Sequence, residues 1–383
     1  MDFSVIAQTF KEIFDNRPRL FRAPGRINLI GEHTDYNDGY VLPASIDKNV
    51  VFAIAKNLTD HYRFYAYDLE QSFEVNLNSI QYTQMKWPNY LLGVIDQLKR
   101  RGHVFGGFDC VFGSNIPIGA GLSSSAAIES GLAVALNEIF DLKESRLDLV
   151  KLSQKAENEF VGVNCGIMDQ FASVFGKKDF VFRLDCRSLD YTYFPLNLGN
   201  KGILLIDTQV KHELASSEYN MRRKECEAGV KSISKINPEV KSLRDVSVEL
   251  LLEFKGKLDP VVFKRCWYVV SENNRVLAAC EDLANHKIDN FGIKMYATHE
   301  GLRDDYEVTC PELDFLVEQT LSRDDVYGSR MMGGGFGGCT INLIELNKVS
   351  LLKKEITEAY ENKFGIKPLF YEVAIKDGAS EIL

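Results

Sequence analysis

The chain has 383 residues, 45% hydrophobic and 26% charged, an ordinary globular composition that excludes disorder, collagen-like repeats and coiled coil. At roughly 150 residues per domain the length implies two or three domains, with core enough to fold without a disulfide or metal staple. Forty-five basic against 54 acidic residues leave a net charge of −9, which argues against a nucleic-acid scaffold but permits an anionic small ligand.

Val5, Ile6, Phe10, Ile13 and Phe14 recur at helical spacing and predict an amphipathic first helix. Turn residues dominate 24–39. Strands are expected at 50–55, a continuous apolar run, and at 61–68 and 73–77, which are β-rich or alternating. Tyr90, Val94 and Leu98 mark a helix, and 106–112 reads as a strand running into a glycine and serine loop. Helices are expected over 126–140, over 146–160 and from about 167. Strands recur at 180–184, 202–207, 339–346 and 369–375, with helices between. The texture changes near Lys177 and Lys178, which predicts α+β domains at 1–178 and 179–383 sharing one cleft.

Eight cysteines are scattered from 110 to 339 with no C-x-x-C pair, and the six histidines form no H-E-x-x-H. The start shows no basic leader with a small-residue cleavage site, and no run approaches the ~20 apolar residues of a membrane helix. A reduced, cytoplasmic protein with no membrane segment and no nucleic-acid partner is the expectation.

The stretch Pro117, Ile118, Gly119, Ala120, Gly121, Leu122, Ser123, Ser124, Ser125, Ala126 joins a predicted strand to a predicted helix. Its amides would lie at the positive end of the helix dipole, and glycines let an anion approach the backbone, so it suits phosphate. A serine N-cap on a tight turn fits the string equally well. It is no Walker loop, kinase catalytic loop or nucleophile elbow. Gly333, Gly335 and Gly338 satisfy G-x-G-x-x-G but precede a strand, so they make no dinucleotide fingerprint. Behind a short apolar strand, Glu32, His33 and Asp35 would suit the hydroxyls of a polyol, or form a polar turn. Asp169 stands at a helix start among Ile167, Met168 and Phe171, as a first-turn charge or as a base in a partly dry pocket.

Four blocks, 25–43, 117–126, 164–170 and 331–340, together resemble the galactokinase family of GHMP small-molecule kinases. Further agreement lies in Leu214, Ala215, Ser216, Ser217, Glu218 and Tyr219 with Arg222 and Arg223, and in 302–307. The resemblance implies a two-domain α+β fold of mixed and antiparallel sheets flanked by helices, with the active site between the domains. It implies transfer of the ATP γ-phosphoryl to the anomeric hydroxyl of galactose in a monomer. Asp169 would be the base and Arg26 would stabilise its anion and the transferring group. Arg26, Glu32, His33, Asp35, Gly166, Asp169 and Tyr219 would hold the sugar. Gly119, Ala120, Gly121, Leu122, Ser123, Ser124 and Ser125 would wrap the phosphates, and Ser125 with Glu157 would complete a Mg2+ shell. The alternatives are a kinase for N-acetylgalactosamine or arabinose, and a sugar and ATP sensor without turnover.

Overall fold

The computed structural model describes residues 2–117, 119–210 and 215–382, with Ala215 and Ser216 by backbone alone. Helix α1 (Phe3–Phe14) is capped by Asp2, whose carboxylate accepts from the Ser4 amide, and buries Ile6 and Phe10. Strand β1 (Arg19–Asn28), short β2 (Tyr40–Val41) and long β3 (Pro43–Lys56) follow. Next come the hairpin β4 (His61–Ala66) and β5 (Gln71–Asn76), helix α2 (Pro88–Arg100) and strand β6 (Phe108–Ser114). Helices α3 (Ser124–Phe140), α4 (Arg146–Lys155) and α5 (Met168–Phe175) complete the first half.

The second half opens with β7 (Phe180–Asp185), β8 (Tyr191–Pro195) and β9 (Lys201–Asp207). Helices α6 (Ala215–Ser234), α7 (Val248–Glu253), α8 (Pro260–Ala284), α9 (Ile288–Asp304) and α10 (Pro311–Glu318) follow. Proline at the first helical position starts α2, α8 and α10, where its missing N–H costs nothing. The chain ends through β10 (Val326–Met332), β11 (Cys339–Glu345), α11 (Val349–Phe364), β12 (Leu369–Val373) and β13 (Ser380–Ile382).

Three sheets result, ordered β13-β1-β3-β6-β4-β5, β10-β11-β9-β12 and β2-β7-β8. Among the described residues all pairings are antiparallel except β4 with β6, so the expected mixed and antiparallel α+β architecture is present. The unbroken apolar run in β3 has a physical reason: both of its faces are covered. Val51 and Ala53 meet Ile6 and Phe10 of α1. Val50, Phe52 and Ile54 face the main core with α2 and α3.

Two local expectations are revised. The turn predicted from residue 24 is still strand: β1 continues to Asn28 past an irregularity between Pro24 and Arg26. The helix predicted over 146–160 leaves α-geometry at Lys155 and passes into a π-helical turn, Ala156–Val161. Strand β7 begins just past residue 178 yet pairs back with β2 through Tyr40 and Val41, while β13 returns to β1. The two halves therefore exchange strands. All eight cysteines are free thiols.

Candidate active site

The irregularity in β1 turns Arg26 inward, where only 5% of it stays exposed. Beyond Asn28 the chain leaves the sheet as a strap. Gly31 adopts φ +91°, and a Cβ there would meet the Tyr40 carbonyl at 2.5 Å, so only glycine fits. Helix α8 ties the strap down from the other half of the chain. Glu272 Oε1 accepts from the Gly31 amide at 2.8 Å, Asn273 Oδ1 accepts from the Tyr40 amide at 2.9 Å, and the Tyr268 hydroxyl donates to the Glu32 carbonyl at 2.9 Å. Arg330 of β10, fully buried, places Nη1 2.7 Å from Glu32 Oε2. That contact is an ion pair out of line for a hydrogen bond.

The strand-to-helix loop lies beside this strap, with Ile118 outside the described residues. Gly119, Gly121 and Ser123 all take positive φ. Ala120 and Leu122 are buried in the core, so toward a ligand they can offer backbone amides only. Ser123 precedes α3 but does not cap it. Its hydroxyl donates instead to Asp169 Oδ2. The first amides of α3 thus receive no capping bond from the Ser123 side chain. The glycine run of the second half comes close: a Cβ on Gly333 would sit 3.7 Å from the Gly121 carbonyl, and one on Gly338 3.9 Å from that of Gly119.

Asp169, in the first turn of α5, receives three donors. Arg26 Nε reaches Oδ1 at 2.7 Å and Nη2 reaches Oδ2 at 3.0 Å, with Ser123 as the third. Burial opposes the charge on Arg26, but the Asp169 carboxylate outweighs it and raises the guanidinium pKa. A Cβ on Gly166 would meet Asp35 Oδ2 at 1.8 Å, so Asp35 occupies the space that a side chain would need. Burial, then the Asp169 charge, push the Asp35 carboxyl up to about 7. Burial pushes His33 down to about 3, so its ring is neutral. Tyr219, at the start of α6, sets its ring 5.3 Å from those of His33 and Tyr36. Leu214, the first residue of its motif, lies outside the described residues.

The π-turn carries Glu157, 6% exposed, next to the Ser125 hydroxyl. Burial raises the Glu157 pKa, while bonds from Ser125, Cys165 and Gln170 oppose the shift. Gln170 Nε2 bonds Glu157 Oε2 at 2.7 Å and Glu129 Oε2 at 3.3 Å. Glu129, wholly buried in α3, has its pKa pushed well up by burial and then by Glu157. A cleft of about 520 Å³ collects Arg26, Glu32, His33, Asp35, Glu157, Gly166, Asp169 and Tyr219. Residues 119–125 border it rather than line it, joined through Ser123 to Asp169 and through the Gly121 carbonyl to Arg26.

Three family models match this chain: the GHMP kinases N terminal domain at 89–177, the galactokinase galactose-binding signature at 8–56 and the GHMP kinases C terminal at 279–362. A galactokinase of Thermosipho africanus is 45% identical over 361 residues, covering 94% of this chain and 99% of the relative. The chain belongs to the galactokinase family. A galactokinase of Clostridium tetani is 41% identical, with 100% and 98% of the two chains covered. The crystal structure of Lactococcus lactis galactokinase complexed with galactose superposes with a TM-score of 0.96 at 36% identity, covering all of both chains. The Methanococcus jannaschii mevalonate kinase shares the fold alone, with a TM-score of 0.67 at 19% identity over 94% of this chain and 99% of that one.

In this member of the galactokinase family the galactose-binding signature spans Arg26, Glu32, His33 and Asp35. Several residues around the cleft escaped sequence reasoning. Arg330 was signalled only by being the lone charge in β10. Tyr36 and Tyr306 fall inside the blocks 25–43 and 302–307, but nothing in those strings indicates that the two hydroxyls meet at 2.9 Å. Arg222 likewise donates to the carbonyls of Tyr306 and Glu307 at 2.7 Å each, which joins two motifs that look unrelated in the sequence.

Proposed function

We propose that the protein transfers the γ-phosphoryl of ATP to the anomeric hydroxyl of galactose, giving galactose 1-phosphate and ADP. The observation that carries this reading is the position of the Arg26–Asp169 pair. It lies between a strap rich in hydroxyl-binding side chains and an uncapped helix start flanked by glycines. In this reading Glu32, His33, Asp35, Gly166 and Tyr219 hold the sugar. Asp169, held by Arg26, receives the proton of the anomeric hydroxyl as its oxygen bonds the γ-phosphorus and the bond to the ADP oxygen breaks. Because Arg26 and Ser123 already donate to Asp169, it acts as an anion whose orientation matters more than its basicity. Arg26 also faces the charge that builds on the transferring group.

Backbone amides of 119–125 and the hydroxyls of Ser124 and Ser125 are proposed to take the phosphates. The pair Ser125 and Glu157 fits a magnesium ion: both present hard oxygen, and the carboxylate is buried without an ion-pair partner among the described residues. Among the described residues no cluster of three or more acidic, histidine or cysteine side chains forms a metal cage, so the protein share would be two ligands. When bound, magnesium would neutralise charge on the β- and γ-phosphates. We read the molecule as two lobes, 1–178 and 179–383, around the cleft, and place it in the cytoplasm on the strength of its eight free thiols. Among the described residues no helix is long and apolar enough to cross a membrane.

A panel of hexoses assayed with ATP and magnesium tests the reading, with the product identified by phosphorus NMR. Galactose should be turned over fastest, with the phosphate on the anomeric oxygen. Preference for N-acetylgalactosamine or arabinose, or no ADP release with any sugar, would overturn it.

A further inference from the structure

Behind the cleft a chain of hydroxyl groups runs from one half of the molecule to the other. His33 Nδ1 lies 2.8 Å from the Tyr36 hydroxyl, and that hydroxyl lies 2.9 Å from the hydroxyl of Tyr306. The far nitrogen of His33, Nε2, is buried and has no hydrogen-bond partner among the described residues, although His33 lines the cleft. Tyr36 holds Nδ1, so Nε2 is the ring nitrogen left to meet a ligand in the cleft. A neutral imidazole carries one N–H, so a donor at Nε2 requires Nδ1 to accept.

We propose that Tyr36 and Tyr306 are positioning residues that set the tautomer of His33, making it a donor to one sugar hydroxyl. With the proton on Nε2, Nδ1 accepts from the Tyr36 O–H, and Tyr36 in turn accepts from the Tyr306 O–H. Tyr306 is held rigidly for this. It is fully buried, its ring lies 4.7 Å from that of Tyr268, and Arg222 Nε donates to its carbonyl at 2.7 Å. Glu32 and Asp35 can accept when ionised, whereas His33 then donates, so a hydroxyl between them must both give and receive a proton. A sugar lacking that hydroxyl leaves a buried N–H unpaired, which makes the arrangement selective as well as attractive.

The inference rests on the proposed sugar site, but its central measurement needs no sugar. Nitrogen-15 NMR of the protein labelled in its histidine rings reports which nitrogen is protonated, with His33 assigned by its loss in His33→Gln. In the unliganded protein His33 should show an unprotonated Nδ1 and a protonated Nε2. Tyr36→Phe should move the ring toward a mixture of tautomers and raise galactose KM roughly three- to tenfold, the loss expected for one hydrogen bond. Its kcat should stay within about twofold, because the bond is made equally in the ground and transition states. Tyr306→Phe should act in the same direction more weakly, and it decides the matter should Tyr36→Phe fail to fold. A purely structural role would leave the tautomer unmoved. A proton on Nδ1 in the parent protein, or a tautomer and KM unchanged in the variants, would overturn the proposal. An intact tautomer in a protein inactive on galactose would instead sink the functional reading.

Discussion

Asp169 is the side chain in the cleft on which the proposed transfer depends most. Its carboxylate is bound by Arg26 through two N–H groups and by the Ser123 hydroxyl, an arrangement that orients it toward the cavity. Asp169→Asn keeps the shape and removes the anion. Turnover should fall by roughly 10²-fold or more while ATP binding stays close to that of the parent, read by single-turnover rates and nucleotide titration. If the asparagine variant keeps most of its rate, Asp169 is only a favourable charge at a helix start. Asp35 makes a separate prediction, about pH. With its carboxyl pushed up to about 7, it is protonated in mild acid and becomes a full acceptor as pH rises. Galactose KM should therefore fall between about pH 6 and about pH 8, and Asp35→Asn should flatten that slope. The stability sign is the opposite: the unfolded carboxyl loses its proton near 3.8, so folded stability declines as pH climbs from there toward 7.

At the scale of elements, two irregularities shape the end of the cleft proposed to take the phosphates. Helix α3 starts without a side-chain cap because Ser123 is turned to Asp169, and the π-turn after α4 swings Glu157 to Ser125. A regular helix through 155–161 would shift where residue 157 points, since a π-turn winds by a smaller angle per residue than an α-helix. If this junction holds magnesium, Glu157→Gln should raise the magnesium concentration for half-maximal rate and leave galactose affinity near that of the parent. Ser125→Ala should do the same, and the double variant should cost less than the sum because both act through one ion. An unchanged magnesium midpoint in Glu157→Gln removes the metal role and leaves the kinase reading standing.

For the whole molecule the decisive contact is between the halves. Arg330 is fully buried, donates to the carbonyls of Asn28, Leu29 and Met331, and pairs with Glu32, itself 3% exposed. Breaking such a pair leaves one buried charge alone, so Arg330→Met should destabilise the fold by about 3–5 kcal/mol in urea denaturation. Adding Glu32→Gln removes the stranded charge and should recover part of that loss. A single variant as stable as the parent would mean that the strap is held by α8 alone.

By itself the sequence determined those features that depend on neighbours along the chain. Periodicity placed the helices at 3–14, 88–100 and 124–140 to within a few residues, because an apolar stripe is a local property. The free cysteines and the glycine run ahead of β11 were legible for the same reason. Strands β8, β10 and β13 were not: β8 and β13 are short, β13 pairs with the distant β1, and β10 carries Gly328, Ser329 and Arg330 in its middle. Tertiary structure alone decided that β7 belongs with β2, that Ser123 serves Asp169 rather than its own helix, and that Ala120 and Leu122 face the core. It alone brought Arg330 to Glu32 and Tyr306 to Tyr36, pairs separated by some 300 and 270 positions. A polar contact between such residues leaves no trace in local pattern, because its strength depends on distance in space and on the exclusion of water, and the fold supplies both.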